Sequence, residues 1–274
     1  MIKIHNGWKK ISLLISLVLI VSIIPFSSLI SKNKNEGREI MEKMDELKKP
    51  KTSYMENTLT IYKKSKKDDD WTTKTKKFNA KMLRESDDVT KALVEFTYPT
   101  KLKLLTHSYA GKDDKQWLIR ENGEKRQIEG GEKGDSFVDS HLTYEDMSEL
   151  DIDDHEYESQ GKEDLEYYDL KKDEDVTVEC YVVKAKPKQS SSYKYRLVYV
   201  RTSDYCLIGA DFYNKSGKLV KTLRRSGIKK VDGILTSEYN AIYLANGLGQ
   251  SIVKMEKVKY NQKYDKKMFN PDSL

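Results

Sequence analysis

Beyond its first fifty residues, this chain changes character at nearly every second position. Met55, Asn57, Leu59 and Ile61 alternate with Glu56, Thr58, Thr60 and Tyr62. Ala92, Val94, Phe96 and Tyr98 alternate with Leu93, Glu95 and Thr97. Val176, Val178, Cys180 and Val182 alternate with Thr177, Glu179 and Tyr181, and the same period runs through 195–201, 206–213, 239–245 and 252–260. Successive strand side chains point to opposite faces, so this period predicts strands with one apolar face each. Polar breakers at 64–70, 111–115, 122–123, 130–134, 186–192 and 214–217 separate them, which predicts an antiparallel meander.

One stretch keeps a different period. Ile40, Met41, Met44 and Leu47 recur at three-to-four spacing, which predicts a helix over 34–49 stopped by Pro50. Residues 136–150 interrupt the strands and suit a short helix or a lid. There is no repeat, and no linker is long enough to separate a second domain, so 32–274 reads as one domain of mainly β (α+β) class. A sheet with one apolar face must cover it, and this helix is too short to cover nine or more strands. Either the sheet closes, or its concave face holds something else, such as a ligand. Alternation assigns Leu59, Ile61, Val94, Phe96, Val182, Ile208 and Phe212 to that face; a solid core would give the same pattern.

Composition narrows the class. Charged residues make up 34% of the 274, but 18 Tyr, 6 Phe and 3 Trp argue against a disordered chain. The net charge of +6 hides two blocks. Residues 145–175 hold 15 acids against 3 lysines, and 184–274 hold 19 bases against 7 acids. Such blocks are read as compensating each other or as solvated faces rather than as a polyanion site, and no nucleic acid is expected as partner.

The N-terminus carries an address. Lys3, Lys9 and Lys10 precede twenty uncharged residues, 11–30, broken by Pro25. A basic end before an apolar run is a secretory signal, or an anchor with its N-terminus inside. Residues 1–31 are assigned to that signal or anchor. Residues 32–274 are then expected outside the cytoplasmic membrane, periplasmic or extracytoplasmic, either free or tethered by 11–30. No cysteine follows the run, so it is not a lipoprotein signal.

Catalytic signatures are weak. Ser140 and His141 are adjacent, but a triad is a matter of geometry and adjacency is no evidence for it. Residues 151–162 lack the Gly and the final Glu of a calcium loop, with Glu156 and Lys162 in those places. His5, His107, His141 and His155 have no ligand spacing. Carboxylate pairs such as Glu145 and Asp146 occur by chance in so acidic a chain. No catalytic residue, metal or cofactor is expected. Cys180 and Cys206 share the inward phase of their strands, but a strand between them would hold them nearly 10 Å apart, so buried thiols are favoured over a disulfide.

Read in order, several segments resemble the outer-membrane lipoprotein-sorting proteins, the LolA/LolB-like carriers. FVDSHLTYEDM over 137–147 is similar to that family's central segment. Phe96-Thr97-Tyr98-Pro99, then Trp117-Leu118-Ile119, then Lys125 to Ile128 precede it in the family's order; Ala185-Lys186-Pro187-Lys188 and the stretch 212–221 follow. The resemblance spans 39–274. It departs at His141 and Leu142, where the family has Asp and Phe, at the missing Gly after Pro99, and at Glu121 in place of Pro.

The resemblance implies an incomplete antiparallel β-barrel whose concave face is covered by helices. Its apolar cavity would take acyl chains of lipoproteins or other lipids, without covalent chemistry. Phe137 and Tyr144 would pack inward at its mouth, beside the face named above. A monomer is expected, with an inner-membrane transporter as a candidate partner. Two other readings stay open: a membrane-tethered docking subunit of an exporter on the same fold, and a hydrolase gathering His141 or His155 with carboxylates.

Overall fold

The computed structural model describes residues 26–65, 67, 70–148 and 152–274, with side chains from residue 33 onward. Of the N-terminal signal or anchor, residues 1–25 lie outside the described residues. A helix, α1 (Phe26–Asp45), comes first. Six strands follow: β1 (Thr52–Lys64), β2 (Trp71–Ser86), β3 (Val89–Tyr98), β4 (Leu102–Tyr109), β5 (Lys115–Arg120) and β6 (Lys125–Gln127). After a segment of 3-10 turns come β7 (His155–Asp169), β8 (Glu174–Pro187), β9 (Tyr193–Arg201), β10 (Leu207–Asn214) and β11 (Leu219–Ser226). A small hairpin, β12 (Lys229–Val231) and β13 (Ile234–Thr236), precedes β14 (Tyr239–Leu244) and β15 (Gly249–Tyr260).

Thirteen of these strands form one antiparallel sheet, in the order β6-β5-β4-β3-β2-β1-β15-β14-β11-β10-β9-β8-β7. The two ends of that order do not pair, so the sheet is not a closed barrel. It is nevertheless strongly curled. Gln116 on β5 donates to the Tyr144 carbonyl, and Tyr193 on β9 donates to Asp146 two residues later. Nine inter-strand steps of about 4.8 Å would separate β5 from β9 by about 43 Å on a flat sheet. Two residues of chain span at most about 7 Å. Only a sheet wrapped around the 3-10 segment can make both bonds. This is the incomplete barrel that the resemblance implies.

Register assigns the faces. Leu59 lies opposite Val253, Phe78 opposite Phe96, Val94 opposite Leu104 and Leu104 opposite Leu118, so all share the concave face. On the far half, Val183 opposes Val198 on that same face. There α1 covers it, with Ile40 and Met41 buried against Tyr157, Val183, Ala185 and Val198. Gly37 lets the helix settle on β7: a Cβ at this position would lie 2.7 Å from the Ser159 nitrogen. The helix ends at Asp45, short of the predicted 34–49. Lys48 instead reaches the Asp232 carbonyl at 2.6 Å, tying the chain after α1 to the β12–β13 hairpin.

The sequence blocks of opposite charge do meet. Lys184 pairs with Glu158 and Lys186 with Glu156 across β8 and β7. These pairs are exposed and each contributes at most about 1 kcal/mol. Cys180 and Cys206 are buried free thiols, and β9 lies between β8, which holds Cys180, and β10, which begins just after Cys206. Burial pushes the Cys180 thiol up to about 11.

The convex face is closed under β3–β5 by the C-terminal turns. Phe269 packs there against Leu93, Leu105 and Ile119. His107 Nε2 lies 2.7 Å from the Phe269 carbonyl, which accepts only, so that nitrogen carries the proton. Desolvation chiefly holds His107 below its ordinary pKa, and the same holds for His141 on the concave side. A histidine depressed in the folded state binds protons more readily when unfolded. Its contribution is therefore present above the unfolded value of about 6.5 and is lost as pH falls below it. The melting temperature is expected to fall between pH 7.5 and 5.5, where few carboxylates titrate, and His107→Gln should flatten that slope. An unchanged slope in His107→Gln would remove this histidine as the cause.

Candidate functional site

The segment with the family-like motif is a plug on the concave face. Val138 and Asp139 take left-handed backbone, with φ of 49° and 61°, turning the chain so that Ser136 bridges Thr143. A 3-10 turn, Glu145–Met147, follows. Phe137 is 2% exposed and stacks edge-on against Phe96 and Tyr144 at 5.7 and 5.5 Å. Around it close Leu59, Ile61, Phe78, Val94, Leu104 and Leu118. Phe212 sits beside this core with Tyr193 and Ile242, and Leu142 packs against both groups.

Polar bonds fix the plug to strands on both sides. Asp146 pairs with Lys221, accepts from the Tyr193 hydroxyl at 3.0 Å and from the Thr143 amide at 2.7 Å. The Lys221 and Asp146 side chains are each 5% exposed. Burial lowers the Lys221 pKa in spite of its partner. Glu145 accepts from the Ser192 amide at 2.7 Å and from Arg196 at 3.2 Å. The ring Nδ1 of His141 lies 2.8 Å from the Ser251 hydroxyl. Ser140 Oγ donates to the Phe137 carbonyl and accepts from the Leu142 amide. The hydroxyl of Ser140 and the imidazole of His141 thus serve separate structural bonds, and the Glu145 and Asp146 carboxylates are engaged by cations. Among the described residues no group of His, Cys, Asp and Glu is arranged to hold a metal ion.

The sequence-assigned face divides in the structure. Leu59, Ile61, Val94, Phe96, Phe137, Tyr144 and Phe212 lie on the concave side. Val182 and Ile208 do not: they pack on the convex side with Leu165, Cys180 and Tyr199. Val182 opposes Tyr199 across β8 and β9, one register position away from the Val183–Val198 pair under α1. Strand β8 is apolar on both faces, so alternation alone does not say which row faces inward. At Ile208 a bulge between Leu207 and Gly209 shifts the phase of β10.

An open cleft lies elsewhere on the concave face, between the end of α1, the β12–β13 hairpin and the middle of the sheet. Its volume is about 430 Å³. Met44, Met55, Met82, Met255, Leu207 and Ile234 line it. The hairpin wall turns on Asp232-Gly233, both at positive φ, as a two-residue hairpin turn requires. Methionine is unbranched and polarizable, so a surface of four can repack around a flexible chain. Arg225 and Asn240, opposite each other on β11 and β14, supply a polar patch in the same cleft. A second hollow of about 470 Å³ opens where Phe96, Tyr98, Leu102 and Val138 meet.

A family model described as an uncharacterized protein matches residues 88–274, most of the chain. A comparison with curated sequences yields no match. Among solved structures, the chain is similar to a DUF1329 family protein from Desulfovibrio piger, at 24% identity and TM-score 0.79, covering 88% of this chain and 99% of that one. A domain named as an outer membrane lipoprotein-sorting protein from Vibrio parahaemolyticus matches at 21% identity and TM-score 0.77, covering 88% and 98%. A LolA superfamily protein from Nitrosomonas europaea matches at 17% identity and TM-score 0.63, covering 87% and 99%. These identities speak for the fold.

Proposed function

The chain belongs to the family whose model spans residues 88–274 and shares its fold with an outer membrane lipoprotein-sorting domain and a LolA superfamily protein, and from this premise we propose that it is an exported carrier of acyl chains. The role involves no covalent step. Acyl chains of a lipoprotein or another lipid enter the methionine-lined cleft and are passed between membrane components. The cleft itself carries this reading, because its volume of about 430 Å³ falls within the range of about 300–1,000 Å³ usual for ligand pockets. About ten buried methylenes at ~0.8 kcal/mol each would give ~8 kcal/mol of gross transfer energy, enough for useful binding after ordering costs. The basic end and apolar run at 1–30 support a place outside the cytoplasmic membrane. Among the described residues no helix is long and apolar enough to cross a membrane.

The test is uptake of a fluorescent fatty acid, with mass spectrometry of lipid carried by the protein purified from its envelope fraction. Wild type should bind. Met82→Trp, which fills the cleft from β2, should weaken uptake tenfold or more while the circular dichroism spectrum is kept. A folded wild type that takes up no lipid would overturn the carrier and favour a tethered docking subunit.

A further inference from the structure

Strand β11 turns two cations toward the concave face, Lys221 and Arg225. The first is neutralised inside the chain by Asp146. The second is not. Arg225 Nη1 donates to the Leu207 carbonyl at 3.2 Å, and among the described residues no carboxylate lies within ion-pair distance. It is half-buried and lines the cleft. Desolvation lowers its pKa, yet an arginine keeps its charge in any protein setting. Among the described acids only Asp45 lines the cleft, and Asp45 pairs with Lys49. A desolvated cation without a counter-charge is costly to keep, and a charged ligand group would offset that cost.

We propose that the cleft takes a single-chain acyl carboxylate, with Arg225 pairing to the head group and the Met55, Met82 and Met255 surface holding the chain. The proposal rests on the carrier reading of the same cleft and adds the ligand class. A planar guanidinium matches a carboxylate with two parallel N–H donors. The Asn240 amide, opposite Arg225 in register, stands beside it. The volume suits one chain better than the two or three of a phospholipid or a lipoprotein anchor. An esterified chain carries no charge at this position and gains no ion pair from Arg225.

The experiment titrates the full chain with 11-(dansylamino)undecanoic acid and with its methyl ester, followed by displacement with palmitate or with dilauroyl phosphatidic acid. Wild type is expected to bind the acid at least tenfold more tightly than the ester. Arg225→Met should lower that preference at least threefold, the remainder coming from Lys48, Lys49 and Arg84 around the same cleft, and should keep ester binding without lowering the melting temperature. Palmitate should displace the probe better than phosphatidic acid. Equal binding of acid and ester by wild type would overturn the head-group assignment and leave the carrier reading intact. Binding of neither would overturn both. Better displacement by phosphatidic acid would replace the carboxylate with a phosphate head group. The wild-type acid-to-ester ratio decides the matter even where Arg225→Met fails to fold.

Discussion

Asp146→Ala is expected to destabilise the protein by about 3–5 kcal/mol in urea unfolding. The magnitude follows from what the substitution leaves behind. Lys221 would remain on the concave face at 5% exposure, with its charge unpaired in a desolvated place. Tyr193 and the Thr143 amide would lose acceptors in the same step. Removing both charges is a smaller perturbation than removing one, because apolar replacements of similar volume restore packing without a desolvation penalty. Asp146→Leu with Lys221→Met should therefore recover most of the loss. A loss below about 1 kcal/mol in Asp146→Ala would show that water reaches Lys221, and that the plug is not held by this pair.

Many of the strands were legible because alternation reports a half-buried pleat directly, whereas the open, curled sheet was implied by the family resemblance. Alternation named none of β2, β4, β5, β7 and β11. The residues of β2 from Trp71 to Lys77 are mostly exposed on both faces, so no apolar row exists there to alternate. Strand β7 forms the sheet edge, and its carboxylates blunt that edge, so charge obscures the inward Tyr157 and Ser159. The plug is legible through its motif, within which Phe137 and Tyr144 are buried. The cleft was hidden for another reason. Its methionines come from α1, β1, β2 and β15, and only topology brings four of the chain's eight methionines to one place. One signal was present: Lys221 and Arg225 share the inward phase of a short strand, where two cations need an explanation.

Phe137→Ala should cost about 3–5 kcal/mol, the range for deleting a buried aromatic ring. The ring is 2% exposed and touches Phe96 and Tyr144 edge-on, so its removal forfeits burial, packing and the aromatic pairs together. The plug around it is pinned by Asp146, His141 and Gln116, so the site cannot collapse freely and the upper end of the range is expected. This substitution also separates core from cleft. Phe137 lies among Leu59, Ile61, Val94 and Phe96, whereas the cleft is lined by Met55 further along β1 and by Met82 and Met255 on the neighbouring β2 and β15. Below its lowered melting temperature, Phe137→Ala should therefore take up the fluorescent fatty acid with an affinity within about threefold of wild type. Met82→Trp should do the reverse, keeping stability and losing uptake. If Phe137→Ala abolished uptake while still folded, the acyl chain would lie under the plug among Leu59, Ile61 and Phe96, and the methionine cleft would lose its role as the binding site.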